Sequence, residues 1–242
     1  MKKKLFLFFK RCFDFVSAFL VFLVTLPIWL ITVIGIFISD PGPIFYKATR
    51  IGKDNKKFYM WKFRSMRVPK NDAEKSEASF KADEDRIFGF GRLIRRLKID
   101  ELPQLLNIMG GSMSVVGPRP ASVDQVETMR AGKYIIAASV KPGLTGPAAL
   151  YDYIYGDTVE DLEDYKRLVL PTRLELEAYY PEHMGIWYDL KMIWYTAVTI
   201  VATVFGKTPK KIINEFVTCV GAVDNKIDML LDTENVDETI EA

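Results

Sequence analysis

Asp100 and Glu101 are adjacent carboxylates in the run Lys98-Ile-Asp-Glu-Leu-Pro-Gln-Leu-Leu-Asn107, with Arg92, Arg95, Arg96 and Lys98 just before them. Hard carboxylate oxygens suit Mg2+, which in turn can hold a diphosphate. A carboxylate can also attack phosphorus and form an acyl phosphate, and Arg95 is close enough in sequence to neutralise phosphate oxygens. The same residues admit a purely structural account. Pro103 is tolerated in a first helical turn, which puts Asp100 near an N-cap and Glu101 in the first turn. Such a helix start would also favour a bound anion. The residues alone leave both accounts open.

Other cations are spaced for phosphate. Gly117-Pro-Arg-Pro120 stiffens the backbone on both sides of Arg119, whose guanidinium fork matches phosphate oxygens. Lys62 and Arg64, in Lys62-Phe-Arg-Ser-Met66, share one face of an expected strand, either as substrate contacts or as a solvated face. Several chemistries are excluded. The single histidine, His183, argues against His-based triads and multi-His metal sites. There is no Walker A loop, no HExxH and no cysteine cluster, and Gly89-Phe-Gly91 lacks the last glycine of a dinucleotide fingerprint. Cys12 and Cys219 imply no disulfide framework and fit a reducing, cytoplasmic setting.

These residues must be held by elements whose pattern is partly readable. Phe15 to Ile38 contains no charged residue, and its 24 positions make about 36 Å of helix, enough to span a bilayer core. The stretch is too long for a secretory signal, and no cleavage site follows. Pro27, near its middle, predicts a kink or break. Basic residues flank both ends: Lys2, Lys3, Lys4, Lys10 and Arg11 before, and Lys47 to Arg67 after. The positive-inside tendency asks both ends to stay cytoplasmic. A helix that enters, turns at Pro27 and returns would satisfy this, with Ser17 or Thr25 hydroxyls serving the freed backbone. A proline-kinked spanning helix is the other reading.

Beyond the turn Asp40-Pro-Gly-Pro43, strands are expected at 44–47 and 57–64 around a Gly52-Lys-Asp-Asn55 turn. Residues 69–85 read as a polar loop. Helices are expected over 87–97, over 102–109 with a stop at Gly110-Gly111, and over 159–180 with a break at Pro171. Residues 185–205 read as a helix carrying Trp187, Tyr188, Trp194 and Tyr195, either interfacial or in the core. Residues 222–242 carry seven acidic side chains against Lys226, leaving 32 basic and 24 acidic residues in the rest of the chain. The tail reads as solvated. The body is basic, as suits contact with anionic lipid or phosphate.

In this order, the motifs resemble the bacterial sugar transferases, the monotopic phosphoglycosyl transferases that begin glycoconjugate assembly on a polyprenyl carrier. The resemblance covers residues from about 8 to about 206. It rests on Lys10-Arg-Cys-Phe-Asp14, Asp40-Pro-Gly-Pro43, Lys62-Phe-Arg-Ser-Met66, Asp100 to Asn107, Met113-Ser-Val-Val-Gly-Pro-Arg-Pro120, Lys141-Pro-Gly-Leu-Thr-Gly146 and Trp187-Tyr-Asp-Leu-Lys191. It implies a mostly helical α+β fold. A re-entrant helix-break-helix anchor would occupy residues 1–39, and a small cytoplasmic catalytic domain with interfacial amphipathic helices residues 40–206. A C-terminal extension would occupy 207–242.

The resemblance also implies a reaction. A UDP-sugar gives its phosphosugar to undecaprenyl or another polyprenyl phosphate and releases UMP, by ping-pong chemistry. Asp100 would be the nucleophile, with Glu101 assisting through Mg2+ or proton handling. Both carboxylates are metal-ligand candidates, and Lys62, Arg95 and Arg119 would contact phosphate or nucleotide. The setting implied is the cytoplasmic face of a bacterial inner membrane, in contact with lipid and without nucleic acid, and it admits a homodimer. The sequence departs from the family pattern at Leu26 before Pro27, at Ser112, and at Pro147-Ala-Ala, where an aromatic residue, Ala and Gln are usual. The alternative is a catalytically inactive, membrane-tethered scaffold of the same fold.

Overall fold

The computed structural model describes residues 2–67, 86–156, 159 and 161–205. The expected loop over 69–85 and the acidic tail therefore lie outside the described residues. The chain forms two compact units, the first from Met1–Val115, Pro120–Val126 and Lys141–Leu144, the second from Val116–Arg119, Glu127–Val140 and Thr145 onward.

The first unit begins with helix α1 (Lys2–Ser39), which runs through Pro27 as one helix where two separated helices were expected. Thr25 Oγ1 donates to the Val21 carbonyl at 2.7 Å, and Ser17 Oγ to that of Phe13 at 2.7 Å. These hydroxyls bond the turn before their own, not the Leu23 carbonyl that Pro27 leaves without its donor. Such back-bonding bends a helix without ending it. One stripe of α1 is buried, through Asp14, Ala18, Trp29, Thr32 and Ile36. Its spacing in threes, fours and their sums is that of one helical face. Phe15, Phe19, Val24, Leu30, Ile31 and Phe37 are exposed on other faces.

Strands β1 (Phe45–Ile51) and β2 (Lys57–Phe63) form an antiparallel hairpin with Tyr46 opposite Lys62. The expected turn is present, with Asp54 and Asn55 at positive φ, a conformation these two residue types tolerate. Met66 bridges to Ile87, which leads into α2 (Gly89–Arg96). A Cβ at Gly91 would lie 2.0 Å from the Ser65 carbonyl oxygen, so only glycine lets α2 approach this segment. After a short 3-10 turn, α3 (Gln104–Gly110) follows and ends at Gly111, which has φ 83°. Strand β3 (Ser114–Val116) comes next, and β4 (Ala121–Ser122) pairs with β1 to give the order β2-β1-β4. Strand β5 (Gly143–Thr145) pairs with β3.

Two apolar clusters build the first unit. One joins Ala18 to Ala48, Met60, Leu105, Ile108 and Met113; the other joins Trp29 and Ile36 to Phe63, Phe88 and Ile94. The buried residues of α1 before and after Pro27 thus fall in different clusters of the same unit, with Phe22 packed against both.

The second unit is helical. It contains α4 (Pro147–Tyr155), a π-turn at Tyr165–Val169, α5 (Leu170–His183) and α6 (Ile186–Val204). The expected break at Pro171 is absent. Pro171 falls in the first turn of α5, where its missing N–H leaves no bond unmade, and the irregularity is the π-turn just before it. Helix α6 buries Asp189, Met192 and Thr199 while Trp187 and Trp194 remain 81% and 66% exposed. The two tryptophans therefore do not face the core, whereas Tyr188 packs against Tyr179 and Tyr180.

Candidate active site

Asp100 does not cap a helix. Lys98 adopts a left-handed conformation at φ 54°, and the chain then makes a 3-10 turn over Ile99–Glu101. The N-cap of α3 is Pro103, which offers no side-chain hydrogen bond. Both the expected capping role and an anion site at that helix start fall away, since α3 has only seven residues.

The turn instead buries Asp100, which is 6% exposed. Burial pushes its carboxyl pKa up to about 6; Lys62 opposes this, Glu101 adds to it, and Arg95 and Lys98 oppose it. Asp100 is thus desolvated yet held in a positive field. Near pH 7 it is mostly ionised, with a proton affinity above that of an ordinary aspartate. This combination suits a carboxylate nucleophile, because weak solvation and higher basicity both favour attack.

Glu101, next in sequence, is only partly buried and accepts a hydrogen bond from Lys62 Nζ at 3.0 Å. Lys62 comes from β2, and its alignment with the turn is fixed by Asn107. The Asn107 Oδ1 accepts from the Trp61 N–H at 2.9 Å, and Nδ2 donates to the Tyr59 carbonyl at 2.7 Å. Because β2 is an edge strand, this side chain stands in for a neighbouring strand at that position. It ties α3 to the residue before Lys62. Sequence reasoning gave Asn107 no role; an amide three residues before Gly110-Gly111 carries no signal of a strand-edge contact.

The other cations separate. Arg95 lies on α2, exposed, and donates to Met66 Sδ at 3.0 Å; its charge reaches Asp100. Arg64 does not share a face with Lys62 as a second substrate cation. It follows the end of β2, is buried, and pairs with Asp40, donating to both its carboxylate and its carbonyl. Arg119 belongs to the second unit, where it is half exposed and pairs with Asp152 at 3.2 Å.

The N-terminal basic flank is also used differently. Arg11 donates to the carbonyls of Ile108 and Met109 at the end of α3. The buried Asp14 accepts from Ser114 Oγ at 2.8 Å and from the Val115 N–H at 3.0 Å. These bonds span about a hundred residues of sequence and anchor α1 to the segment that carries Asp100.

Asp100 and Glu101 fit a hard divalent cation by donor chemistry: one is a buried carboxylate whose ionisation a cation would favour, and the other is an adjacent, partly open carboxylate. Among the described residues there is no cluster of three or more His, Cys, Asp or Glu side chains that would hold a metal by itself. Further oxygens would have to come from substrate phosphates and water, as is usual for Mg2+.

Comparison with known proteins identifies the family. A profile of the bacterial sugar transferases matches residues 5–203, and the chain belongs to that family. It is similar to the UDP-glucose:undecaprenyl-phosphate glucose-1-phosphate transferase of Escherichia coli K12, at 35% identity over 190 residues, covering 77% of this chain and 39% of that protein. The UDP-N-acetylgalactosamine-undecaprenyl-phosphate N-acetylgalactosaminephosphotransferase of Aeromonas hydrophila is 34% identical over 203 residues, covering 82% and 45%. The exopolysaccharide production protein PSS of Rhizobium leguminosarum bv. phaseoli is 35% identical over 199 residues, covering 78% of this chain and 94% of that protein. The chain spans only about two fifths of the first two relatives' own length.

Proposed function

We propose that this chain transfers a phosphosugar from a UDP-sugar to undecaprenyl phosphate or a related polyprenyl phosphate, as an early membrane step of glycan assembly. The observation that carries the reading is the buried Asp100, with its raised proton affinity, beside the Lys62–Glu101 pair. An Asp100 carboxylate oxygen attacks the phosphorus nearer the sugar. The bond from that phosphorus to the bridging oxygen breaks, and UMP leaves with the oxygen and the electron pair. A phosphate oxygen of the lipid then attacks the same phosphorus and displaces the Asp100 carboxylate, giving the polyprenyl diphosphate sugar.

Lys62, Arg95 and Arg119 lower the charge of two anionic substrates, which otherwise repel the carboxylate and each other. Lys62 also keeps Glu101 oriented beside the nucleophile. Asp100 and Glu101 would hold Mg2+, which when bound supplies further neutralisation of diphosphate oxygens.

Membrane placement follows from α1. It is the described helix long and apolar enough to cross a membrane. The reading that best suits its basic flanks and its buried stripe is re-entrant: a bend at Pro27 within a continuous helix, with both ends on the cytoplasmic face of the inner membrane. The outward Trp187 and Trp194 of α6 suit an interfacial position, where indole rings favour the headgroup level.

The test is UMP release by the full chain in nanodiscs with undecaprenyl phosphate, Mg2+ and a panel including UDP-glucose and UDP-N-acetylgalactosamine. The expected result is release from at least one donor, lost in Asp100→Asn. Wild-type protein that releases UMP from no donor would overturn the activity, and an Asp100→Asn variant that turns over normally would overturn the covalent route.

A further inference from the structure

In the second unit, Arg119 is the outer end of a buried chain of charges. Its Nη1 lies 3.2 Å from Asp152 Oδ2. Asp152 cannot swing freely, because its other oxygen accepts from the Tyr165 hydroxyl at 2.6 Å and faces Arg173 at 3.7 Å. The Tyr165 oxygen in turn accepts from Arg173 Nη1 at 2.6 Å. Arg173 Nε donates to Glu177 Oε1 at 3.2 Å, and the second Glu177 oxygen faces Arg130 at 3.7 Å. Asp152, Arg173, Glu177 and Arg130 are all buried; the Arg119 side chain is 46% exposed.

Three guanidinium groups thus share two carboxylates, leaving one positive charge in excess. At the inner end Glu177 Oε2 and Arg130 Nη1 make no hydrogen bond, so the bonded network runs from Glu177 Oε1 through Arg173, Tyr165 and Asp152 to Arg119, the member that meets solvent. The backbone is fitted to this arrangement. Tyr165 opens the π-turn, whose extra residue per turn resets which side chains face Asp152. A Cβ at Gly156 would lie 2.7 Å from Asp152 Oδ1 and 3.3 Å from the Tyr165 ring, so a side chain there would part the two. At the other end, the Gly117 N–H donates to the Thr145 carbonyl at 2.9 Å and steadies the loop before Arg119. Burial and the Asp152 carboxylate hold the Tyr165 hydroxyl protonated, with its pKa raised to about 12, so it stays a donor throughout the working pH range.

The geometry points to Asp152, locked by Tyr165 and Arg173, as a positioning residue that fixes the Arg119 guanidinium in one orientation for a substrate phosphate. This rests on the reading of Arg119 as a phosphate contact in the transfer reaction.

Two measurements on the full chain in nanodiscs test it. The first needs no activity. In protein labelled with 15N-arginine, the Arg119 side-chain signal, assigned by its loss in Arg119→Lys, should be rigid in wild type and mobile in Asp152→Asn. Tyr165→Phe, which keeps the ring and removes only the hydroxyl, should mobilise it too, and it decides the matter if the Asp152 variant fails to fold. Unchanged Arg119 rigidity in Tyr165→Phe and Asp152→Asn would overturn the proposal. The second is kcat/KM for whichever UDP-sugar the wild type uses. Misorienting a substrate-positioning group costs roughly 10- to 100-fold, so Asp152→Asn should lose about that much. In an Arg119→Ala background the same change should matter by less than about two-fold, because residues acting as a unit are not additive. Additive losses would mean that Asp152 only supports the fold. Wild-type protein that is inactive while Arg119 still responds to Asp152→Asn would remove the proposed reaction and leave the positioning role intact.

Discussion

Replacing Asp100 by asparagine should remove the proposed nucleophile and, at the same time, stabilise the fold. Asp100 is buried, and burial raises its pKa from 3.8 to about 6 despite Lys62. In the unfolded chain the carboxyl ionises near the lower value. Between the two values the folded protein holds a proton that the unfolded chain has released, so acid favours folding there. As pH rises through about 6 the folded group must ionise in its desolvated place, and the full penalty is present at pH 7. The gap corresponds to roughly 3 kcal/mol. Asparagine has nearly the same shape and no charge to desolvate, so Asp100→Asn should gain up to that amount at pH 7 to 8. For a chain of this size the melting temperature should rise by roughly 6–12 °C. The gain should shrink below pH 6 and vanish near pH 4. Tryptophan-monitored thermal unfolding in nanodiscs, without substrate, across pH 4 to 8 reads it directly. No stabilisation at pH 7.5 would refute the desolvation argument. A stabilisation that does not change with pH would assign the effect to packing or hydrogen bonding instead.

In the proposed reaction the same carboxylate would set the acid limb of activity: kcat/KM for UMP release should fall as pH drops through about 6, because protonated Asp100 cannot attack. Lys62→Met removes the strongest influence lowering that pKa, so the limb should move to higher pH as well as the rate falling; a limb that stays in place would separate Lys62 from the nucleophile. Asn107→Leu leaves the Trp61 N–H and the Tyr59 carbonyl without the amide and should destabilise the first unit by on the order of 2 kcal/mol, read by urea unfolding at constant m-value. In a variant with Cys12 and Cys219 replaced by serine, a cysteine at position 3 should react with a membrane-impermeant maleimide only after the cells are opened; labelling from the periplasm would rule out the re-entrant anchor.

What the sequence made legible follows local rules. The hairpin at Phe45–Phe63 has alternating strands and a Gly52 turn. The stop of α3 at Gly111 needs a glycine at φ 83°, and the apolar run of α1 is plain in composition. What it hid depends on contacts made at a distance. The left-handed Lys98 carries no signature, so the helix start seemed to belong to Asp100 when it belongs to the Pro103–Gln104 step. Arg11 and Asp14 read as membrane-flanking charge and a motif residue, whereas their partners lie about a hundred residues away. Arg64 matched Lys62 in spacing, but the end of β2 and the nearby Asp40 gave it a different partner. The Asp152 chain was invisible because it depends on a π-turn, which no local pattern announced.

These long-range contacts bear on how α1 meets the membrane. Arg11 bonds the end of α3, and Ala18 packs with Leu105 and Ile108. Beyond Pro27, Trp29 meets Phe63 at 5.0 Å between ring centroids, and Ile36 shares a cluster with Phe88 and Ile94. A straight helix from Arg11 to Ile36 is about 37 Å long, more than a hydrocarbon core of about 30 Å. Were it to cross, the elements packed along it would have to enter the bilayer with it. Strand β2 brings Lys57 and Lys62, and α2 brings Arg92, Arg95 and Arg96. Charges at that depth are expensive, by a few kcal/mol or more each. A shallow anchor avoids this by giving lipid the exposed faces of α1 around Phe19, Val24 and Ile31, while the stripe through Ala18, Trp29 and Ile36 stays on protein. In the proposed re-entrant arrangement, the carboxylate of Asp100, on the segment that Arg11 holds against α1, would be kept close to the depth at which a lipid phosphate sits.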